Sequence, residues 1–363
     1  MIEIPFIKIP WRKEYLELIE QVFQSGIYVE GRYTREFESK FSTFIGVKHA
    51  VAVNNGTSAL FLILKAIGIG NGDKVIVPSF TFISTVSQIL LLGGKPVFVD
   101  IDPFTYTIDI EDFKEKFDNN VKAVIVVHTF GHPADMDEII EYRDKYGFFL
   151  IEDACQAHGS LYKRRKVGGI GDIGFFSFYP TKNMTVYGEG GMIVSSNDEL
   201  IDEIRLLKNH GLKSKDLVVK LGYNMNFNEI QAVLGLESLK TLNNYNERRR
   251  EIASIYDDEL GEYVQIPIEA SYAYHVYHLY TIQTDKRDEL NSYLNSKGIS
   301  TGIYYRRPTH MQPAVKSIVG DINLYATEYV AERVLSLPIY PSLSDEEVEY
   351  IVESVKSFYE DRV

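Results

Sequence analysis

The chain has 363 residues, enough for a large core and a smaller companion unit, and its 45% hydrophobic and 25% charged residues are the balance of an ordered globular protein. A formal net charge of -13 argues against a general nucleic-acid or anionic-membrane binder, since both need clustered positive charge. A lone cysteine, Cys155, excludes an intramolecular disulfide, no apolar run is long enough to cross a bilayer, and Met1-Ile2-Glu3 lacks the basic start of a leader, so a cytoplasmic location is expected.

Residues 1–12 read as extended and proline-punctuated. Helical spacing then runs from Lys13 to Phe23 through Tyr15, Leu18, Ile19 and Phe23, stopped by Ser25-Gly26, and resumes from Gly31 to Phe44. His49–Val53 is a strand, Asn54-Asn55-Gly56-Thr57-Ser58 a turn, and Ala59–Ile67 a helix. Glycine lets a backbone approach an anion, and the free amides and hydroxyls of a helix start can bind phosphate, although a capped strand-to-helix turn has the same composition. Lys74–Pro78 is a buried strand, and Ser79-Phe80-Thr81-Phe82 leads into the apolar helix Ile83–Leu92, with Phe80 expected in the core. Strand Pro96–Asp100, helix Asp109–Phe117, strand Ala123–His128 and helix Asp135–Tyr146 follow. This alternation predicts a mainly parallel sheet covered on both faces. His128 and His132 read as turn or helix-entry residues, and no metal site is expected.

Phe148–Ile151 is an apolar strand ending in Glu152-Asp153, and Ile173–Phe178 is another, followed by Tyr179-Pro180-Thr181-Lys182 and Gly188-Glu189-Gly190-Gly191. Open α/β sheets place their chemistry at the carboxyl ends of strands. A lysine held beyond such a strand can be desolvated, which lowers its ammonium pKa and allows a Schiff base. Taken singly, Lys182 is a surface charge and Asp153 a turn cap. Taken together they supply what pyridoxal phosphate needs, a lysine for its aldehyde and a carboxylate for its pyridine nitrogen.

Asp198–His210 is a helix ended by His210-Gly211, and Gly222-Tyr223-Asn224-Met225-Asn226-Phe227 precedes a long helix. Beyond Tyr245 the pattern changes to α+β: strand Tyr274–Thr281, helix Lys286–Ser296, strand Ile303–Tyr305, the segment Arg306-Arg307-Pro308-Thr309-His310, the Leu335–Ile339 stretch and a last helix Asp345–Tyr359. Adjacent arginines suit a diphosphate. The expected division is residues 1–245 and 246–363.

The segment from Asp153 to Lys182 resembles the DegT/DnrJ/EryC1/StrS family of sugar aminotransferases, and similar features run from about Ser25 to Pro341. The resemblance implies the fold-type I architecture of pyridoxal phosphate enzymes: a three-layer αβα, mainly parallel sheet with a smaller C-terminal α+β domain. It implies that Lys182 holds the cofactor and that Asp153 pairs with its pyridine nitrogen. Gly56, Thr57, Ser58 and Ser177 would hold its phosphate, Phe82 would stack on its ring, and Gln156 would contact the ring hydroxyl. Asn224 would reach the cofactor of a neighbouring subunit, so a homodimer with shared active sites is implied. Arg307 and His310 fall where relatives line the mouth over a nucleotide sugar, and glutamate is the implied amino donor. Asn226 stands where many members carry Arg, and an amide replaces neither the charge nor the fork of a guanidinium. Two rivals remain: the sugar dehydratases of the same family, which resemble these enzymes but carry histidine at position 182, and a non-catalytic cofactor-binding regulator.

Overall fold

The computed structural model describes residues 3–360. Seven strands form the central sheet: β1 (His49–Val53), β2 (Lys74–Pro78), β3 (Lys95–Val99), β4 (Val121–Val127), β5 (Phe149–Asp153), β8 (Ile173–Ser177) and β9 (Gly191–Ser195), in the spatial order β1-β9-β8-β5-β4-β2-β3. Between β5 and β8 lies the short hairpin β6 (Leu161–Tyr162) and β7 (Arg165–Lys166). Only β9 runs against its neighbours, pairing antiparallel with both β1 and β8. The remaining contacts are parallel, for instance Val127 opposite Asp153 and Asp153 opposite Phe175. The mainly parallel sheet expected from the alternation of elements is therefore present.

Strand side chains alternate between two separate cores, as a period of two requires. Ala50, Ala52, Val124, Val126, Met192 and Val194 enter one, with Phe37 and Phe41 of α2 (Arg32–Ile45). Val51, Val53, Ala123, Ile125 and Ile193 enter the other, with Leu60, Ile63 and Leu64 of α3 (Gly56–Ala66) and Ile201 and Ile204 of α7 (Asp198–Lys208). The other helices on this part are α1 (Glu14–Ser25), α4 (Ile83–Leu91), α5 (Ile110–Lys116) and α6 (Asp137–Tyr146). Helix starts are capped by side chains: Asn55 accepts from the Ser58 amide at 2.8 Å, Asp109 from Asp112 at 2.8 Å and Asn197 from Leu200 at 3.0 Å. Phe23 lies on the exposed side of α1, while Phe80 is fully buried.

After the small hairpin β10 (Leu212–Ser214) and β11 (Leu217–Val218), α8 (Glu229–Leu260) carries the chain unbroken through position 245. Its second half joins a third core with α9 (Arg287–Ser296), β13 (Tyr280–Gln283), β14 (Val334–Leu337) and α12 (Asp345–Glu360), packing Ile252, Tyr256, Leu290, Leu335 and Phe358. Helices α10 (Pro313–Val319) and α11 (Tyr325–Arg333) complete this part. No helix among the described residues is long and apolar enough to cross a membrane.

Two expected strands are corrected. Of Tyr274–Thr281, only its ends are strand: β12 (Ala273–Tyr274) pairs with β6, and β13 begins at Tyr280. Between them Tyr277 has a left-handed backbone (φ 43°), and the amides of Val276 and Leu279 bond to Gly131 and Phe130 rather than to a ladder. The segment YHVYHLYT reads as a strand, but it is shaped by the loop it lines. Ile303–Tyr305 is likewise no strand: Gly302 makes one bridge to Ser336, then the chain turns. That turn sets Tyr305 against Phe80 and Phe130.

Candidate active site

The carboxyl ends of β1, β2, β4, β5 and β8 gather most of the residues singled out in the sequence. Asp153 ends β5 with a side chain 5% exposed. Its Oδ2 accepts from Thr85 Oγ1 at 2.9 Å and its Oδ1 from the Cys155 amide at 3.1 Å. Burial raises its pKa above the ordinary carboxylate range, opposed by those hydrogen bonds and by the charge of Lys182. For Lys182 burial acts the other way and lowers the ammonium pKa, opposed by Cys155 and Asp153. The two groups therefore share one desolvated site, each pushed toward neutrality by burial and toward charge by the other. The Cys155 thiol is half-buried, and burial pushes it up and away from reactivity.

Gly56 opens α3 directly against β8. A Cβ added there would stand 2.9 Å from the Ser177 Cβ and 3.2 Å from the Cys155 Sγ, so only glycine permits this approach. The turn thus brings Gly56, Ser177 and Cys155 into one cluster. The hydroxyls of Thr57 and Ser58 bond to nothing in the described chain, while Asn55 is spent on the cap. First-turn amides, free hydroxyls and a glycine approach together form a cradle for a phosphate.

Gln156 is fixed from both ends of its amide: Oε1 accepts from the Phe130 amide at 3.0 Å, and Nε2 donates to Tyr305 at 3.3 Å. Phe82 sits just before α4, 57% exposed, its ring available at the edge where Thr85 reaches Asp153. Beneath Lys182, its neighbour Asn183 is held by a buried chain of amides. Asn183 donates to Asn246 and to the Val276 carbonyl, both at 3.0 Å, and His278 bonds its Oδ1 at 3.1 Å. Because Asn246 donates in turn to the His158 carbonyl at 2.8 Å, both amide orientations are determined.

Four singled-out residues stand apart from this cluster within the chain. Asn224 is exposed, and Asn226 donates to it at 3.1 Å and to Asn209 at 3.3 Å. Arg307 is exposed with no acceptor for its guanidinium among the described residues, whereas Arg306 pairs with Asp288. His310 is buried, with Nδ1 2.6 Å from Ser79 Oγ and Nε2 3.3 Å from Glu328, so both ring nitrogens are engaged internally. No group of three metal-ligating side chains occurs among the described residues.

Sequence reasoning missed Thr85, Tyr305 and the amides under Lys182. Only a polar residue inside an apolar helix could have pointed to Thr85, since such a hydroxyl needs a partner.

A cradle that a Cβ would close, the unpaired hydroxyls around it, and a carboxylate and amine in one desolvated site fit pyridoxal 5'-phosphate. The profile of the DegT/DnrJ/EryC1/StrS aminotransferase family matches residues 11–356. A pleiotropic regulatory protein of Geobacillus stearothermophilus is 38% identical, over 96% of this chain and 95% of that protein. A UDP-N-acetyl-3-dehydro-alpha-D-glucosamine 3-aminotransferase of Acidithiobacillus ferrooxidans is also 38% identical, over 96% and 94%. The crystal structure of DesV from S. venezuelae, 35% identical, superposes with a TM-score of 0.96 over 99% of both chains. The chain belongs to the DegT/DnrJ/EryC1/StrS aminotransferase family and uses that family's cofactor, pyridoxal 5'-phosphate.

Proposed function

We propose that this aminotransferase moves an amino group from glutamate to the ketone of a nucleotide-linked deoxy keto sugar carried on dTDP or UDP. The observation that carries the reading is the electrostatic pairing of buried Asp153 with the half-buried Lys182 beside the Gly56–Ser177 cradle. Named relatives that act on nucleotide sugars support the substrate class.

When bound, pyridoxal phosphate supplies an electron sink that makes the proton on the donor's Cα acidic. The chain's own residues do the rest. Asp153 presents a negative charge that keeps the pyridine nitrogen protonated. Thr85 and the Cys155 amide hold that carboxylate in place. Gly56, Thr57, Ser58 and Ser177 anchor the phosphate, the exposed Phe82 ring offers a stacking face, and Gln156 meets the ring hydroxyl. Lys182 holds the cofactor between turnovers and, once displaced by the donor, takes the Cα proton as a base and later returns a proton as an acid. Its lowered pKa keeps a larger share of the amine in the free-base form that this step needs.

The same reading divides the chain at 245/246, supported by the separate apolar core of the C-terminal part. It places Asn224 in the cofactor site of a partner copy in a cytoplasmic homodimer, supported by its exposure and by a side chain bonded only to Asn226 among the described residues. In this reading Arg307, its guanidinium unpaired, meets the nucleotide sugar directly, and His310, its ring held by Ser79 and Glu328, braces the same segment. Lys182 stands against the dehydratase alternative.

The test is borohydride reduction of the cofactor-loaded protein followed by peptide mapping, with release of 2-oxoglutarate measured from glutamate and keto sugars. Label on Lys182 and donor-dependent 2-oxoglutarate are expected. Label on another residue refutes the site, and label on Lys182 with no 2-oxoglutarate favours a cofactor-binding regulator; one relative is named a pleiotropic regulatory protein.

A further inference from the structure

Tyr305 carries the C-terminal part of the chain into the candidate active site. Its half-buried ring stands edge-on to Phe80, 5.6 Å between centroids, and stacks on Phe130 at 6.5 Å. These rings belong to a fourth apolar cluster that joins Phe80 and Phe130 to Leu279, Val330 and Val334. The chain just before Tyr305 is pinned as well, because Gly302 bridges to Ser336 and Phe6 stacks on Tyr304 at 5.9 Å. Where the phenol oxygen stands is therefore decided by how the C-terminal part is seated.

The hydrogen bonds at that oxygen have one consistent assignment. A backbone amide only donates, so the Phe130 N–H fixes Oε1 as the end of the Gln156 amide that faces it, at 3.0 Å. Nε2 is thereby the end that faces Tyr305, at 3.3 Å, and the phenol oxygen accepts. Two hydrogens are left without an acceptor among the described residues: the second one on Nε2 and the one on the Tyr305 hydroxyl. Burial and the charge of Asp153 push the phenol pKa up, so that hydroxyl keeps its proton. A buried donor without an acceptor is costly, and two of them beside Asp153 mark the place of an acceptor atom. Donors 3.3 Å apart are separated by less than two hydrogen-bond lengths, so a single oxygen can accept from both.

We propose that Tyr305 is a further cofactor-site residue, its hydroxyl donating with Gln156 Nε2 to the ring oxygen of pyridoxal phosphate. This rests on the reading that Gln156 meets that oxygen. Two donors favour the oxygen's anionic form. Because Tyr305 belongs to the C-terminal part, cofactor binding and the seating of that part strengthen each other by the same factor.

The test compares wild type, Y305F and Q156A as full chains. Phenylalanine keeps the packing against Phe80 and Phe130 and removes only the hydroxyl. In Y305F the affinity for pyridoxal phosphate, followed by fluorescence, should fall at least threefold, and the pH at which the bound cofactor's absorbance changes should rise by about one unit. Hydrogen exchange across residues 302–310 should slow on cofactor binding in wild type and slow less in Y305F. A tyrosine that only packed would leave both titrations as in wild type, and that result overturns the proposal. Equal protection of residues 302–310 in wild type and Y305F overturns the linkage. Q156A without effect on either titration would instead defeat the reading of Gln156, whereas an effective Q156A beside a silent Y305F sinks the role of Tyr305 alone.

Discussion

Replacing Thr85 by valine removes one hydroxyl from beneath Asp153 and nothing else of similar size. Thr85 is 1% exposed, its Oγ1 donates to Asp153 at 2.9 Å, and it lies 3.1 Å from the Thr81 hydroxyl. Valine fills the same volume, so the cost is almost entirely the hydrogen bond. A bond to an ionised acceptor contributes about 1.5–3 kcal/mol, and one to a neutral acceptor about 0.5–1.5 kcal/mol. Losing the donor therefore costs more when Asp153 is charged than when it is protonated. The sign follows from linkage. Burial has raised the folded-state pKa of Asp153, so its contribution to stability is present at low pH and is lost as pH rises through that pKa. Without Thr85 the charged form loses support and the loss deepens. Urea denaturation of the cofactor-free protein across a pH series should show T85V destabilised by about 1.5–3 kcal/mol at the alkaline end, where Asp153 is ionised, and by about 1 kcal/mol less at the acid end, below its raised pKa, read from the midpoint at unchanged slope. In the loaded enzyme a loss of about 1.4 kcal/mol at the transition state corresponds to a tenfold fall in kcat/KM. Equal destabilisation at both ends of the series, or none at either, would refute the view that Thr85 supports an ionised Asp153.

Gly56→Ala places a methyl group 2.9 Å from Ser177 and should weaken cofactor binding at least tenfold in a fluorescence titration, with an overpacking cost of about 1–3 kcal/mol in stability; unchanged affinity would remove Gly56 from the phosphate cradle. Burial lowers the pKa of His132 to about 4 and of His158 to about 3, so both are neutral in the folded protein and take up protons on unfolding. Folded-state values below the unfolded one mean that stability is lost as pH falls below about 6.5, at up to about 1.4 kcal/mol per pH unit for each group. Thermal melting between pH 7 and 4.5 checks this slope, and His158→Asn, whose side chain does not titrate, should flatten it; an unaltered slope would show that His158 is not the source.

Much of the architecture was legible because burial imposes a period on the chain. The apolar runs read as strands at His49–Val53 and Ala123–His128 are buried on both faces of one sheet, feeding a core on each side, and glycine and capping residues marked the helix ends. Composition misled at Tyr274–Thr281, where the apolar and aromatic residues line a loop rather than a ladder. Helical spacing placed Phe23 on the apolar side of α1, where it is exposed.

Sequence by itself determined that a carboxylate and an amine would each stand at the carboxyl end of a buried strand, because an apolar run that stops at Asp153 or before Lys182 leaves the next polar group at the sheet edge. It determined equally that the turn at Gly56 would free a backbone for close approach. Folding alone decided what each of these groups touches. Thr85 meets Asp153 across 68 positions of chain and Gln156 meets Tyr305 across 149. Of the consecutive arginines Arg248, Arg249 and Arg250 on α8, the outer two pair with carboxylates and Arg249 instead donates to the carbonyls of Ile339 and Tyr277. Periodicity reports which side of an element is dry. It carries no information about which partner arrives there, since that depends on how distant elements pack, and packing is a property of the whole chain.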